Sequence, residues 1–291
     1  MRRTNWPAAL ALALLAAARV QAAPEAIVEA VQMPAWVERA GLTTPLAPGM
    51  ALERRDELRT GPEAKLLLTL AEGSSVKLGE NAVLRLDAIA TRSEDGLFAA
   101  AMNVLAGAFR FTTAVLATAR RRDVSITIAT ATAGIRGTDL WGKAAPDRDI
   151  ICLIEGRIEV ARGADAPVTM DQPKSFYVAP KGAPPLPVAP VSDEQLAKWA
   201  AETEVGTGSG VARRGGRWKV VLFAGGSELE VLEVYEQIRA AGYPVELGER
   251  WRGNRRYYDV RIGGLASRAD AQAIASRLTG KFGVVAPSVV R

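Results

Sequence analysis

The stretch Arg255-Arg256-Tyr257-Tyr258-Asp259-Val260-Arg261-Ile262-Gly263-Gly264 decides how the C-terminal part of this chain folds. Its side chains alternate with a period of two residues, which predicts a half-buried β-strand. The side chains suited to closing a core are Tyr258, Val260 and Ile262. The opposite face offers an aromatic ring and charges, from Tyr257, Asp259 and Arg261. Such a face is suited to binding an extended polar polymer.

Around this strand, residues 215–291 show the order strand, helix, strand, strand, helix, strand. The strands are expected at residues 218–223, 245–247 and 257–262 and from 284 onward. Ser227 with Glu230, and Ser267 with Asp270, have the spacing of helix N-caps. We therefore expect an α+β module in which two helices cover one face of a four-stranded antiparallel sheet and the other face is open.

Short motifs in this module resemble those of SPOR domains. They are Trp-Lys-Val-Val-Leu at 218–222, Ala-Gly-Tyr at 241–243, Tyr-Asp-Val-Arg-Ile-Gly at 258–263 and Ser-Arg-Ala-Asp-Ala at 267–271. The resemblance covers the whole module and implies binding of denuded peptidoglycan glycan strands, from which the stem peptides have been removed. Many SPOR domains carry Gln at the position of Val221 and a basic residue at the position of Asp259.

Alternation along two adjacent strands predicts which side chains line the open face. The expected glycan-binding residues are Lys219, Val221, Phe223, Tyr257, Asp259 and Arg261. The C–H faces of a sugar stack on aromatic rings, and its hydroxyl or carboxylate groups pair with Arg or Lys. For Phe223 and Tyr257, simple packing at the edge of the sheet is the alternative.

The N-terminus has the organisation of a secretory signal peptide. Arg2 and Arg3 precede an apolar run at residues 6–18, and Val20-Gln21-Ala22 supplies a small-residue cleavage site. The run is shorter than the roughly 20 residues that a bilayer span needs. We expect residues 1–22 to be removed, leaving an exported periplasmic protein without an integral membrane span. A retained membrane anchor is the alternative.

The composition excludes several kinds of chemistry. The chain of 291 residues contains no His and a single Cys, Cys152. His-based acid–base catalysis, Ser-His or Cys-His nucleophiles and nearly all zinc sites are therefore excluded. We expect Cys152 to be a small buried residue rather than a reactive thiol. No cofactor and no metal are expected.

Charge differs between the two parts of the chain. Residues 213–291 contain 14 Lys and Arg and 8 Asp and Glu, a net charge of +6, against +5 for the whole chain. The remainder therefore carries −1, or −4 once Arg2, Arg3 and Arg19 are removed with the signal peptide. A basic module on an acidic body suggests that the module meets the anionic or polyhydroxyl partner. A well-solvated surface is the plain alternative.

Residues 24–181 show short apolar runs separated by turns every eight to twelve positions, which predicts an all-β sandwich or roll. Three motifs there resemble FecR domains: Asp-Glu-Leu-Arg-Thr-Gly at 56–61, Gly-Ile-Arg-Gly-Thr-Asp at 134–139 and Glu-Gly-Arg-Ile-Glu-Val at 155–160. The resemblance implies a periplasmic sensing or scaffolding domain. Its best-known members signal through a membrane helix to a cytoplasmic anti-sigma segment. Neither is recognisable here, so that role is not expected.

The motif residues Arg136, Gly137, Thr138 and Asp139 allow two interpretations. In the structural one, the glycines permit a tight turn and Arg136 fixes it by bonding carbonyl groups or Asp139. In the functional one, Arg136 contacts a ligand. The structural interpretation is favoured.

Residues 182–214 are interpreted as a linker. Residues 182–190 are Pro-rich and predict a semi-rigid spacer. Ser192 and Gln195 then open a helix to about Glu204, whose apolar face is expected to pack on the β body. Residues 206–210 are Gly-rich and predict a flexible tether.

These patterns favour a non-enzymatic protein that binds denuded peptidoglycan, with the β domain as a scaffold or as a partner for another envelope protein. The alternative is a periplasmic FecR-type sensor or regulator in which wall binding is secondary. The strand and helix order of the module also fits an RNA-binding RRM, but the aromatic-glycine motif is missing and export removes the chain from RNA. We therefore expect no nucleic acid partner. No two acids stand in an arrangement typical of a wall hydrolase.

Overall fold

The structure is a computed structural model that describes residues 24–91, 96–113 and 122–291. Within these ranges the side chains of Arg136 and Arg252 are not described. The predicted signal peptide lies outside the described residues. The described chain is rich in β-strands, and its helices lie after residue 190.

The strands of the N-terminal part begin after Glu25 and follow one another with short turns. They are β1 Ala26–Gln32, β2 Ala35–Arg39, β3 Leu42–Pro45, β4 Ala51–Leu52, β5 Glu57–Thr60, β6 Lys65–Leu70, β7 Ser75–Leu78, β8 Val83–Thr91, β9 Phe98–Thr112, β10 Arg122–Ile128, β11 Ala131–Ala144, β12 Arg148–Arg162, β13 Val168–Met170 and β14 Ser175–Pro180.

The rest of the chain mixes strands and helices. Its elements are β15 Ala189–Pro190, α1 Asp193–Thr203, β16 Val211–Arg213, β17 Trp218–Gly225, α2 Glu228–Ala240, β18 Glu246–Arg252, β19 Arg255–Leu265, α3 Arg268–Leu278 and β20 Ser288–Val290.

Strand pairing in residues 24–190 forms two ladders that share three long strands. One ladder runs β3–β2–β5–β8–β9–β10–β11–β12–β13, and the other runs β1–β6–β7–β9–β11–β12–β14–β15. All pairs are antiparallel except β9–β10. Alternate residues are buried in β5, β6, β7 and β10, as in β6, where Leu66, Leu68 and Leu70 point inward. Buried side chains of both ladders belong to one hydrophobic cluster.

A glycine marks the point where each long strand passes from one ladder to the other. These are Gly107 in β9, Gly137 in β11 and Gly156 in β12, with φ of 78°, 65° and 93°. At Gly156 a Cβ would lie 2.5 Å from the carbonyl oxygen of Gly137, and at Gly107 it would lie 2.6 Å from the Cα of Ala82. Glycine is needed there because the backbone is left-handed and the neighbouring chain is close.

The segment predicted as a linker packs on the β body. Leu186 N–H donates to the carbonyl of Val178 at 2.9 Å, and β15 pairs with β14. Ser192 caps α1 by accepting from Gln195 N–H. Trp199 of α1 stacks on Trp141 with ring centroids 4.7 Å apart. The helix therefore packs as predicted, whereas the expected spacer is corrected, because its backbone groups bond to the body.

The C-terminal part has the strand order β20–β17–β19–β18, with every pair antiparallel. The caps at Ser227 and Ser267 are confirmed, since each accepts from the N–H three residues later. Gly242, which ends α2, has a positive φ of 88°. The last strand is at Ser288–Val290 rather than at Val284, which is buried in the core.

The two parts meet along β16 and the ends of the helices. β16 pairs with β1 on the body, and its Ala212 pairs with Leu265 at the end of β19. Arg277 of α3 donates to the carbonyl oxygens of Met33 at 2.8 Å and Ser209 at 3.1 Å. Trp36 donates its indole N–H to the carbonyl of Ala240 at 3.2 Å. The module is thus held by its helix ends rather than by its sheet face.

The expected flexible tether at residues 206–210 is corrected as well. Asp270 is fully buried, and its Oδ1 accepts from the N–H groups of Gly208, Gly210 and Val211 at 2.8, 3.2 and 3.0 Å. The other oxygen accepts from Ser267 Oγ at 2.5 Å. A buried carboxylate that receives this many donors fixes the segment in place.

Candidate functional site

One face of the C-terminal sheet carries polar side chains above a buried layer. The buried layer consists of Val220, Leu222, Val260 and Ile262. The side chains that alternate with it are Lys219 and Val221 on β17, Glu246, Gly248 and Arg250 on β18, and Tyr257, Asp259 and Arg261 on β19. We call these eight residues the open face.

Asp259 is the buried charge of the open face, with 3% of its surface exposed. Its Oδ2 lies 2.6 Å from Nε of Arg250, and its Oδ1 lies 3.6 Å from Nη1 of Arg261. Gly248 pairs directly with Asp259 across the strands. Any side chain at position 248 would collide with the Asp259 carboxylate and with Arg261. Asp259 is therefore buried beneath the guanidinium groups of two arginines and is not exposed at the surface.

Arg261 and Lys219 supply cations further along the face. Arg261 Nε lies 3.4 Å from Oε2 of Glu246, the residue paired with it on β18. Lys219 is exposed, and no hydrogen bond or ion pair of its side chain occurs among the described residues. Val221 pairs with Arg261 and is half-buried. The half-buried apolar side chain of Val221 therefore lies between two cations, Lys219 and Arg261.

Phe223 does not lie on the open face. The β17–β19 register shifts between Val221 and Phe223, so that Phe223 pairs with the inward-facing Val260. Its ring packs against the hydrophobic core and lies beside Gly225, near Val231 of α2. A β-bulge reverses the facing of every later residue in a strand, and strict alternation cannot anticipate it.

The β18–β19 hairpin contributes aromatic and basic groups. Tyr257 is half-buried and pairs with Arg250 on the open face. On the other face Tyr258 donates its hydroxyl to Glu228 at 3.3 Å, and Arg256 lies over the ring of Trp251, 5.1 Å from its centroid. Sequence reasoning missed Arg250 and Glu246. The sequence signal that could have found Arg250 is the Gly253-Asn254 turn: if the strand expected at residues 245–247 continues to this turn, Arg250 pairs with Tyr257.

The Gly-Ile-Arg-Gly-Thr-Asp motif lies at the bend of β11. Asp139 accepts from Arg110 Nε and Nη2 at 2.9 and 2.6 Å, and from the hydroxyl of Thr112 at 3.3 Å. This pairing raises the pKa of the Arg110 guanidinium. Thr138 is buried, and its N–H donates to the hydroxyl of Thr113 at 3.1 Å. Asp139 thus has Arg110 as its bidentate partner. The side chain of Arg136 lies outside the described part, so its expected role stays a prediction.

Cys152 is fully buried beside Trp141, and burial raises the pKa of its thiol to about 12. Residues 24–91, 96–113 and 122–291 hold no group of three or more His, Cys, Asp or Glu suited to a metal ion. Nor is any helix in this part of the chain long and apolar enough to cross a membrane.

The fold is thus a β-rich body joined to an α+β module with an open sheet face. Residues 56–159 match the model of the FecR protein family, and residues 214–291 match that of the SPOR domain. The chain therefore carries a FecR domain and a C-terminal SPOR domain. Both families are typical of the cell envelope and are non-catalytic.

A comparison with curated proteins finds no match. Among solved structures, three chains match. Two are crystal structures of a candidate anti-sigma factor from Parabacteroides distasonis ATCC 8503, each 14% identical with a TM-score of 0.40. The match covers 50% of this chain and 63% or 64% of the other, so this chain spans less than two thirds of their length.

Proposed function

We propose that this protein is an exported, non-enzymatic periplasmic protein that binds denuded peptidoglycan glycan strands through the open face of its SPOR domain. The observation that carries the proposal is the face itself. It combines the exposed amine of Lys219 and the guanidinium of Arg261 with the ring of Tyr257 and the apolar side chain of Val221. The contacts between the two parts run through β16 and the helix ends, which leaves this face accessible.

The proposed contacts refine the set expected from sequence. Lys219, Val221, Tyr257 and Arg261 would touch the glycan, and Arg250 joins them. Asp259 would act beneath the surface, because it is buried under the two arginines. Phe223 would contribute through packing on the core rather than by contact.

Cosedimentation of the mature full chain with purified peptidoglycan tests the proposal. We expect pelleting that increases after amidase treatment, because amidases expose bare glycan strands. Tyr257→Ala and Arg261→Ala should each weaken binding about fivefold or more, the scale of one lost stacking or charged contact. Matched controls are Trp251→Ala, on the opposite side of the hairpin, and Arg268→Ala, an exposed arginine on α3. If both face variants pellet like the parent, the open face is not the site.

We also propose a division of the chain at residues 24–181, 182–214 and 215–291, with the FecR domain as a β-sandwich whose sheets exchange strands at Gly107, Gly137 and Gly156. This domain would serve as a scaffold or bind another envelope protein. In the alternative function, a FecR-type sensor or regulator, wall binding is secondary. Transcript levels in cells that carry Arg261→Ala, compared with cells that lack the protein, separate the two, since a regulator would keep its effect on transcription when wall binding is lost, whereas a wall-binding scaffold has no such effect to keep.

The absence of enzymatic activity is tested by zymography on a peptidoglycan gel. The mature chain should leave the gel without a cleared zone. A cleared zone that persists after rigorous purification would overturn the non-enzymatic assignment.

A further inference from the structure

The open face contains two arginines that converge on one buried acid. Arg250 on β18 and Arg261 on β19 both approach the carboxylate of Asp259, at 2.6 and 3.6 Å. The space between the strands is free for them because position 248 is a glycine. The two carboxylate oxygens of Asp259 receive no hydrogen bond among the described residues, so charge attraction at a buried position is what keeps the two guanidinium groups beside it.

The pair leaves donors free for a ligand. Arg250 Nε forms an ion pair with Asp259 Oδ2 at 2.6 Å, and no hydrogen bond of the Arg250 side chain occurs among the described residues, so its Nη1 and Nη2 are free. Its side chain is 59% exposed. The two terminal nitrogens of a guanidinium group form a planar fork that fits the two oxygens of a carboxylate. Arg261 is less exposed and stands beside it as a second cation.

Glu246 occupies the other end of this cluster. Its Oε2 lies 3.4 Å from Arg261 Nε, a long contact for a charged pair, and its side chain is 61% exposed. An exposed carboxylate at a long distance is a weak partner. A ligand carboxylate could therefore compete with Glu246 for Arg261, but it would meet no competitor at the free edge of Arg250.

We infer that Arg250 and Arg261, positioned by the buried Asp259, form a subsite for a carboxylate group of the bound glycan. This inference rests on the proposed function and names the chemistry that the face selects. A glycan strand without stem peptides exposes the lactyl carboxylate of each muramic acid, and that group is the ligand the subsite would take. Strands whose carboxylates are blocked would bind through Tyr257, Val221 and Lys219 alone.

The test compares two preparations of the same glycan strands, released by amidase. In one, carbodiimide coupling to ethanolamine converts the carboxylates to neutral amides. The full chain should bind the unblocked strands about fivefold to tenfold more tightly, the effect of one charge-assisted contact at a partly exposed site. Arg250→Lys keeps the charge but loses the fork, and should lower this ratio toward one. Arg268→Lys, an exposed arginine on α3, is the control and should keep the parent ratio.

Asp259→Asn distinguishes a positioning role of Asp259 from an effect of net charge alone, because the two predict opposite changes in affinity for unblocked strands. Removing a negative charge would strengthen binding to an anion if only net charge mattered. If Asp259 positions the arginines, binding to unblocked strands falls and binding to blocked strands does not change. Glu246→Gln should do the reverse and tighten binding to unblocked strands about twofold, since it removes the competitor of Arg261. Thermal melting shows whether each variant is folded. If Asp259→Asn is not folded, Asp259→Glu replaces it, since it keeps the charge but moves the carboxylate: net charge alone predicts unchanged binding of unblocked strands, and positioning predicts weaker binding.

Each result has a definite meaning. A parent ratio near one, with both preparations bound, overturns the carboxylate subsite and leaves the proposed function intact. Tighter binding of Asp259→Asn to unblocked strands overturns the positioning role of Asp259. A chain that binds neither preparation overturns the proposed function and the subsite together.

Discussion

Cys152 shows how burial alone sets the chemistry of one residue. It lies fully buried among Ala108, Trp141 and Val191, and burial raises the pKa of its thiol from 9.0 to about 12. The thiol is therefore neutral at physiological pH, and only the thiolate is a strong nucleophile. The expectation of an unreactive buried cysteine follows from the apolar residues around it in sequence, and the structure gives it the same cause.

This burial predicts a pH dependence of stability. Between pH 9 and about 12 the unfolded chain loses the Cys152 proton while the native chain keeps it. The unfolded state then binds fewer protons, so the free energy of unfolding falls as pH rises through this range. Comparing urea unfolding at about pH 8 and about pH 10.5, the parent should lose about 1–2 kcal/mol more than Cys152→Ala. Equal losses in the two proteins would show that Cys152 does not carry this effect.

For single residues, the sequence identifies which cations lie on the open face better than it identifies the side chains that pack around them. Alternation places both there because Lys219 lies before the bulge in β17 and Arg261 lies in the stretch of β19 that pairs regularly with β18. It misplaces Phe223, since the bulge after Val221 depends on the fit between two strands. It also cannot foresee that Asp259 is buried, because its ion-pair partner Arg250 lies on another strand.

At the scale of elements, the bent strands of the FecR domain depend on close backbone approach. Gly156 has a φ of 93°, and its Cβ position lies 2.5 Å from the carbonyl oxygen of Gly137. A side chain there would face both conformational strain and a steric clash with backbone that cannot move aside. The sequence indicates a turn or bulge at this glycine but gives no sign that β11 and β12 bend together.

Gly156→Ala should therefore destabilise the protein by about 2–4 kcal/mol, measured by chemical unfolding. Gly163→Ala is the matched control, since Gly163 also has a positive φ, 53°, but nothing lies within 4 Å of its Cβ position. It should cost no more than about 1 kcal/mol. Equal effects at the two glycines would mean that backbone strain, and not the approach of β11, sets the requirement at Gly156.

Elements are easiest to predict where the signal is local. The helices at 193–203, 228–240 and 268–278 each begin after a serine whose hydroxyl accepts from the N–H three residues on, and this spacing is readable in sequence. The composition of the Pro-rich and Gly-rich segments lacks periodicity and therefore predicts a spacer and a tether. Both segments are held instead by hydrogen bonds to residues elsewhere in the chain. The N–H of Leu186 donates to the carbonyl of Val178, and the N–H of Gly208 donates to the carboxylate of Asp270.

At the scale of the whole molecule, β16 and Asp270 make the two parts one cooperative structure. β16 pairs with β1 and touches β19, and buried residues of both parts belong to one cluster. Asp270 and Arg277 hold the residues that lead into β16. Composition predicts two modules on a linker, but the coupling depends on a carboxylate and a guanidinium from the second module bonding backbone groups far away in sequence.

The coupling predicts that the parent unfolds in a single calorimetric transition and that the double variant Asp270→Asn/Arg277→Ala unfolds in two. An asparagine side chain at position 270 has one oxygen, whereas the two carboxylate oxygens of Asp270 accept hydrogen bonds from backbone N–H groups and from Ser267, so this change should lower the free energy of unfolding by about 1–3 kcal/mol. The loss of the Arg277 side chain leaves the carbonyl groups of Met33 and Ser209 without their donor. The variant should also be cleaved by protease within residues 206–210. Its glycan binding should stay within about twofold of the parent, because the open face makes none of these contacts.

Arg268→Ala, at the exposed start of α3, should leave the single transition unchanged. Two transitions in the parent itself would contradict the coupling, as would a single unshifted transition in the double variant.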